Sequence, residues 1–223
     1  MIDLAKAITA VGGLGTAAFG LVDATKPITR VNYLGFSAIR NAVNPIIPGD
    51  NATNSLTSTK IISTLEANWI NGTDLASQKA IAKSLIKLHL NAGNAAQVGG
   101  ACGIDPAVLT SIATKIVSGE ALTQTESDVF GRFDLIVTAL LDEAYQRADQ
   151  SYRNGTRLLA MVCAVLLALT GSAVLNQSDP ASQINPGMAL IIGLLATPLA
   201  PIAKDLSSAL AAAVNSLQSI KKK

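Results

Sequence analysis

Few residues in this chain have the types and spacings that chemistry needs. His89 is the only histidine, so no imidazole-based metal site can be built from it alone, and it is expected as a satisfied or surface histidine. Cys102 lies in the stretch GGACG and Cys163 inside an apolar run, so no disulfide is expected between them. Asp142 and Glu143 are adjacent carboxylates, the pairing that acid–base work would require. Neighbouring helix positions diverge by about 100°, however, and no second polar cluster converges on them, so they read as solvated. There is no Cys–His or Ser–His–Asp spacing and no carboxylate within an apolar run. No enzyme activity, catalytic residue, metal or cofactor is therefore expected, and no small-molecule substrate is evident.

Two glycine-rich stretches invite a nucleotide reading and fail it. Gly13-x-Gly15-x-x-Ala18 matches the loose dinucleotide pattern, but the residues before it show none of the β-branched alternation of the strand that loop requires. The run NAGNAAQVGGACG (91–103), read as a loop, lacks the Gly-Lys-Ser/Thr ending of a phosphate-binding loop. Three Asn-x-Thr triplets, at Asn51, Asn71 and Asn154, are what chance yields in so Asn- and Thr-rich a chain.

The charged residues are more informative in their placement than in their number. Lys79, Lys83 and Lys87 recur every four residues and form one basic stripe on a helix, expected as a solvated face or as a contact to anionic lipid or an acidic partner. The net charge of +2 is too small to argue for nucleic acid. Only 14% of the residues are charged and 49% are hydrophobic, against about 25% charged in typical soluble domains. That deficit points to a membrane.

The elements that carry these residues are read as helical throughout. The fold class is all-α: an integral membrane protein with a transmembrane helical hairpin, an N-terminal membrane helix and a small helical soluble domain. Residues 1–23 contain an uncharged run from Ala7 to Val22, about 24 Å as a helix, which either spans, lies in the interface or is re-entrant. Its Gly13 and Ala17 form a small-xxx-small pair suited to helix packing or self-association. Residues 24–55 are a connector broken by Pro27, Pro45 and Pro48, with a short helix that either lies on the membrane surface or packs on the soluble domain.

Residues 56–157 read as a cytoplasmic helical domain. One helix covers roughly 57–70 and a second is capped by Thr73 or Asp74. A third starts at Asp105-Pro106 and ends at Gly119, and Thr123-x-x-Glu126 is a capping box. That box opens a long helix whose apolar face includes Phe130, Phe133, Val137, Leu140, Ala144, Ala148 and Tyr152. With no breaker except Gly155 it runs on into Leu158–Leu175, uncharged and about 27 Å long, near the thickness of a hydrocarbon core. After a turn without Lys or Arg, Met188–Ala203 is apolar again and closes the 158–203 hairpin, with Pro198 and Pro201 expected to kink it.

Basic residues flank the hairpin at Arg147, Arg153, Arg157, Lys204 and the terminal lysines, so the positive-inside rule puts the soluble domain and C-terminus in the cytoplasm. The tail, 204–223, carries a two-heptad seam at Leu206, Leu210, Ala213, Leu217 and Ile220, expected to pack on its own chain or on neighbouring subunits.

Phe133 to Asn176, with Asp142, Arg147, Tyr152-Arg153 and Asn176 just past the apolar run, resembles a class of uncharacterised bacterial inner-membrane proteins. In these an Asp/Arg-rich amphipathic helix feeds a transmembrane hairpin. The resemblance covers about a fifth of the chain; it implies a bacterial inner-membrane location and carries no functional residue over.

The expected function is a membrane-anchored helical scaffold or assembly subunit that self-associates or docks a protein partner at the cytoplasmic face, with the lipid bilayer as its other partner. The alternative is a homo-oligomeric channel or pore. Its lining would have Thr16, Thr170, Ser172 and Thr197 to offer, where pores usually present polar or charged rings.

Overall fold

The computed structural model describes residues 4–49, 56–178 and 183–221, with side chains described for 7–49, 56–178, 183–203 and 205. Among the described residues the secondary structure is entirely helical. Eight α-helices follow one another: α1 (Leu4–Thr29), α2 (Phe36–Val43), α3 (Ser58–Ile70), α4 (Leu75–His89), α5 (Ala95–Cys102), α6 (Pro106–Ser118), α7 (Gln124–Ser178) and α8 (Pro186–Lys221). Short 3₁₀ turns at Val31–Tyr33 and Asn44–Ile46 flank α2. The chain divides into two compact units, one formed by Met1–Val31 with Arg153–Lys223 and the other by Asn32–Tyr152.

In the Asn32–Tyr152 unit, the helix starts are set by local side chains. Thr57 caps α3 by accepting from Lys60 N at 3.2 Å, Asp74 caps α4 from Ser77 N at 2.9 Å, and Asp105 caps α6 from Ala107 N at 2.8 Å. At the head of α7 the capping box closes in both directions: Glu126 N donates to Thr123 Oγ1 (3.3 Å) and Thr123 N to Glu126 Oε2 (2.9 Å).

The core of this unit gathers Ile61, Leu65 and Trp69 from α3, Ala82 and Ile86 from α4, Leu109 and Ile112 from α6, and Phe133, Val137, Leu141 and Tyr145 from α7. Phe36, Ile39, Val43, Ile46 and Ile47 are buried with them, so the short helix of the connector is core material, the second of the two readings offered for it. The unit accordingly begins at Asn32, earlier than the 56 read from the sequence.

The glycine-rich run differs from its expectation as a loop, because 95–102 is helical. Asn94 Nδ2 donates to His89 O at 2.8 Å and Asn91 N to Asn94 Oδ1 at 2.8 Å, which builds the turn that starts α5. A methyl on Gly99 would fall 3.1 Å from both Ile104 O and Pro106 Cα. The glycine there serves close packing of α5 on the chain that follows it.

In the other unit, three helical segments are long and apolar enough to cross a membrane: Ala7–Thr29, the apolar part of Gln124–Ser178, and Pro186–Ala203. Helix α1 extends past the expected Val22 and through Pro27 to Thr29. Helix α8 continues past Pro198 and Pro201 to Lys221, so the backbone of the heptad tail is an extension of the second hairpin helix. The side chains of Leu206, Leu210, Ala213, Leu217 and Ile220 lie outside the described residues. Asn176 joins the end of α7 to the residues before α8: its Nδ2 donates to Ile184 O (3.0 Å) and its Oδ1 accepts from Ile184 N (2.7 Å).

Candidate functional site

The polar side chains of the Asn32–Tyr152 unit form two clamps on α7. At its start, Glu126 is buried and holds four donors: Lys115 Nζ at 2.7 Å, Ser111 Oγ at 2.8 Å, and the Thr123 N–H and hydroxyl at 2.9 Å each. The Lys115 ammonium first, then these hydrogen bonds, pull its carboxyl down to about 2. The arrangement is that of a charged helix cap, with three donors on Oε2 and Ser111 on Oε1.

Farther along, α4 lies against α7 through the lysine stripe. Lys79 Nζ reaches Asp142 Oδ1 at 2.6 Å, while Lys83 and Lys87 share Asp134, at 3.1 and 2.7 Å to its two oxygens. Lys87 also sits 5.2 Å above the Phe130 ring. The Lys87 ammonium foremost holds the Asp134 carboxyl below its usual range. The three lysines, expected as a solvated face or as a contact to anionic lipid or an acidic partner helix, meet carboxylates of α7 in the same chain. Asp142, read as solvated, is Lys79's acceptor. Glu143 pairs with Arg147 on its own helix, at 2.7 Å and well exposed.

His89 is buried, with Nδ1 3.0 Å from Leu56 O and Nε2 3.4 Å from Pro48 O. It ties the chain on either side of residues 50–55 to the end of α4. The tryptophan packs near Tyr145 (ring centroids 6.5 Å) and edge-on to Tyr152 (6.3 Å). Burial pushes the Tyr145 phenol up to about 12. Cys102 is buried and Cys163 half-buried; both are free thiols, and burial pushes the Cys102 thiol up. Among the described residues no three His, Cys, Asp or Glu side chains converge as metal ligands would.

An open trough of about 580 Å³ lies between α2 and α7. Its walls carry Ser37 and Asn41 on one side and Glu143, Arg147, Gln150 and Ser151 on the other. These are hydrogen-bonding and charged groups, set between the two helices in an open trough.

In the unit of Met1–Val31 and Arg153–Lys223 the size order of a soluble core is inverted. Small residues are inside: Ala18, Ala160, Ala164, Ala189, Ala196, Ala200 and Ala203 are buried, and so are Gly12, Gly15 and Gly193. Many of the large apolar side chains are outside, with Leu158 64% exposed, Leu166 57%, Ile191 52% and Leu195 50%, while Val22 and Val31 are buried. The glycines let the backbones meet. A methyl on Gly12 would overlap the Ala203 Cβ, one on Gly15 the Ala196 carbonyl, and one on Gly193 would lie 2.5 Å from Val165 Cα.

The small-residue pair singled out in the sequence is on the other face. Gly13 and Ala17 are exposed, and a methyl on Gly13 would meet nothing within 4 Å. Intrachain packing falls to Gly12, Gly15 and Ala18, one position away. Of Thr16, Thr170, Ser172 and Thr197, three donate to carbonyls of their own helix: Thr16 to Gly12 O (3.1 Å), Thr170 to Leu166 O (2.8 Å) and Ser172 to Leu169 O (2.8 Å). Thr16 and Thr170 are exposed whereas Ser172 and Thr197 are buried, so the four do not share one lining.

Compared with models of protein families, with curated proteins and with solved structures, the chain matches none.

Proposed function

We propose that this chain is an integral membrane protein that works as a non-catalytic helical scaffold or assembly subunit. Its α1, the Pro186–Ala203 part of α8 and the apolar half of α7 insert in the bilayer, and the Asn32–Tyr152 unit serves as a docking module. The observation that carries the reading is the inverted packing of alanine and glycine inside with many leucine and isoleucine side chains outside. In water so large an apolar exterior is unfavourable by about 25 cal/mol per Å². In lipid it costs nothing, and close approach of backbones through small residues becomes the main source of helix association.

The basic residues Lys26, Arg30, Arg153 and Arg157 near the ends of the apolar segments assign the docking module to the cytoplasmic side. On the resemblance of residues 133–176 the membrane is a bacterial inner membrane. Self-association is assigned to the exposed Gly13–Ala17 face and to the α8 extension, with a protein partner as the other occupant.

Two measurements test this. After lysis and ultracentrifugation the protein should pellet with membranes and resist alkaline extraction; recovery in the supernatant ends the reading. Solubilised in mild detergent, it should run larger than one chain plus its micelle, or retain a partner under crosslinking. A monomer that captures nothing removes the scaffold assignment and leaves only the membrane one.

A further inference from the structure

At the C-terminal end of α1 the backbone does something glycine normally does. Arg30 has φ 52, and it is the only described non-glycine residue in the left-handed region. Its N–H donates to Lys26 O at 2.9 Å, the single bond that closes a helix at such a position. Every other positive-φ residue described is glycine: Gly35, Gly49, Gly72, Gly103 and Gly119. An arginine at this position costs stability that a glycine would not, so its side chain is the feature to account for.

The next residue, Val31, is buried in one cluster with Val22 and Ala160, joined by Phe19, Leu159 and Cys163. Arg157 lies one helical turn before Ala160. Arg30 and Arg157 therefore flank the same packed cluster, from α1 and from α7. Both are exposed, and neither guanidinium has an ion-pair partner among the described residues. The nearby Asp23 is already held by Lys26 at 2.8 Å. Each arginine also has an apolar neighbour turned outward, Ile28 at 83% exposed and Leu158 at 64%. Two forked cations beside outward-facing aliphatic side chains match one chemistry: a phosphate ester attached to acyl chains.

We infer that Arg30 and Arg157 form a binding site for the headgroup phosphate of an anionic phospholipid at the inner edge of the membrane. The inference rests on the membrane reading above. Helix-end compensation alone does not account for Arg30, since a lysine would serve the α1 dipole equally well while lacking the bidentate fork.

The experiment uses the full chain purified in detergent and reconstituted into nanodiscs of phosphatidylglycerol or phosphatidylcholine, with tightly retained lipid counted by mass spectrometry. Wild type should retain phosphatidylglycerol in preference to phosphatidylcholine. Arg30→Gly and Arg157→Gln should each lower that preference about fivefold, and Arg30→Lys by less. Arg30→Gly should also unfold at the same or a higher temperature than wild type, because glycine suits the backbone. That separates lost binding from lost folding.

If Arg30→Gly and Arg157→Gln keep the wild-type preference while remaining membrane-bound, the site is refuted and the membrane reading stands. If excess inorganic phosphate strips the lipid preference, the ligand is free phosphate and the headgroup assignment is overturned. If wild type is recovered without membranes, the underlying reading is what has failed.

Discussion

Gly15 and Ala196 meet backbone to backbone: a methyl placed on Gly15 would lie 2.6 Å from the Ala196 carbonyl carbon and 3.0 Å from the Ala200 methyl. No side chain fits between α1 and α8 at that point. Gly15→Ala is therefore expected to cost about 1–3 kcal/mol by overpacking, despite the better helix propensity of alanine. Gly13→Ala, on the open face, should change folding stability by no more than about 0.5 kcal/mol. Thermal unfolding of the two variants in the same detergent checks the contrast, and equal midpoints would show that the α1–α8 contact is looser than described.

A second close approach lies in the other unit. Gly35 has φ 90, and a methyl there would fall 2.8 Å from the Ala148 carbonyl carbon on α7. Two penalties add in Gly35→Ala, about 1–2 kcal/mol for the left-handed backbone and about 1–3 kcal/mol for the overlap. Denaturant unfolding followed by the fluorescence of the single tryptophan, Trp69, should show a loss of about 3 kcal/mol. A shift under 1 kcal/mol (about a fivefold change in the folding equilibrium) would contradict the geometry.

The Glu126 cap should be visible in acid. Its folded carboxyl titrates near 2 and the unfolded one near 4.5, so the unfolded chain binds the proton more readily. The stabilisation is complete above about pH 5 and is lost as the pH falls from there through 2. Thermal midpoints of wild type and Glu126→Gln should differ by a constant amount at neutral pH and converge on acidification. Parallel curves down to pH 2 would mean that the Lys115 and Thr123 contacts do not set the carboxyl.

Asp134 gathers two ammoniums and is only partly shielded from water, so screening should weaken it. Asp134→Asn is expected to cost about 0.5–1 kcal/mol at low salt, less in molar salt, since partly exposed pairs are worth about that much. The variant also releases Lys83 and Lys87 while leaving Lys79 on Asp142. If the stripe also serves anionic lipid, vesicle binding should rise in Asp134→Asn; unchanged binding would confine the three lysines to the α4–α7 contact.

The features legible in the sequence share one property: the partners are close along the chain. Thr123 and Glu126, or Asp105 and the helix it starts, are three residues apart or fewer, so residue type and spacing nearly dictate the bond. The apolar segments of α1, α7 and α8 were legible for a similar reason, since length and lack of charge suffice to make a helix compatible with lipid. The burial of Phe133, Val137, Ala144 and Ala148 follows from periodicity along one helix.

Tertiary structure decided what each face meets. Lys79 finds Asp142 63 residues away, and neither position carries a local sign of the other. Periodicity marks Gly12, Gly13 and Gly15 alike as small, and only the neighbouring helix makes two of them contacts and leaves the third bare. The 91–103 run became partly helical because Gly99 fits against Ile104 and Pro106, a contact that outweighs glycine's poor propensity. Composition and spacing thus determined which segments are helices and which of them suit lipid, because those energies are summed along one stretch of chain. The pairing of faces was decided in three dimensions, where two backbones exclude a methyl or a carboxylate meets an ammonium from a distant helix.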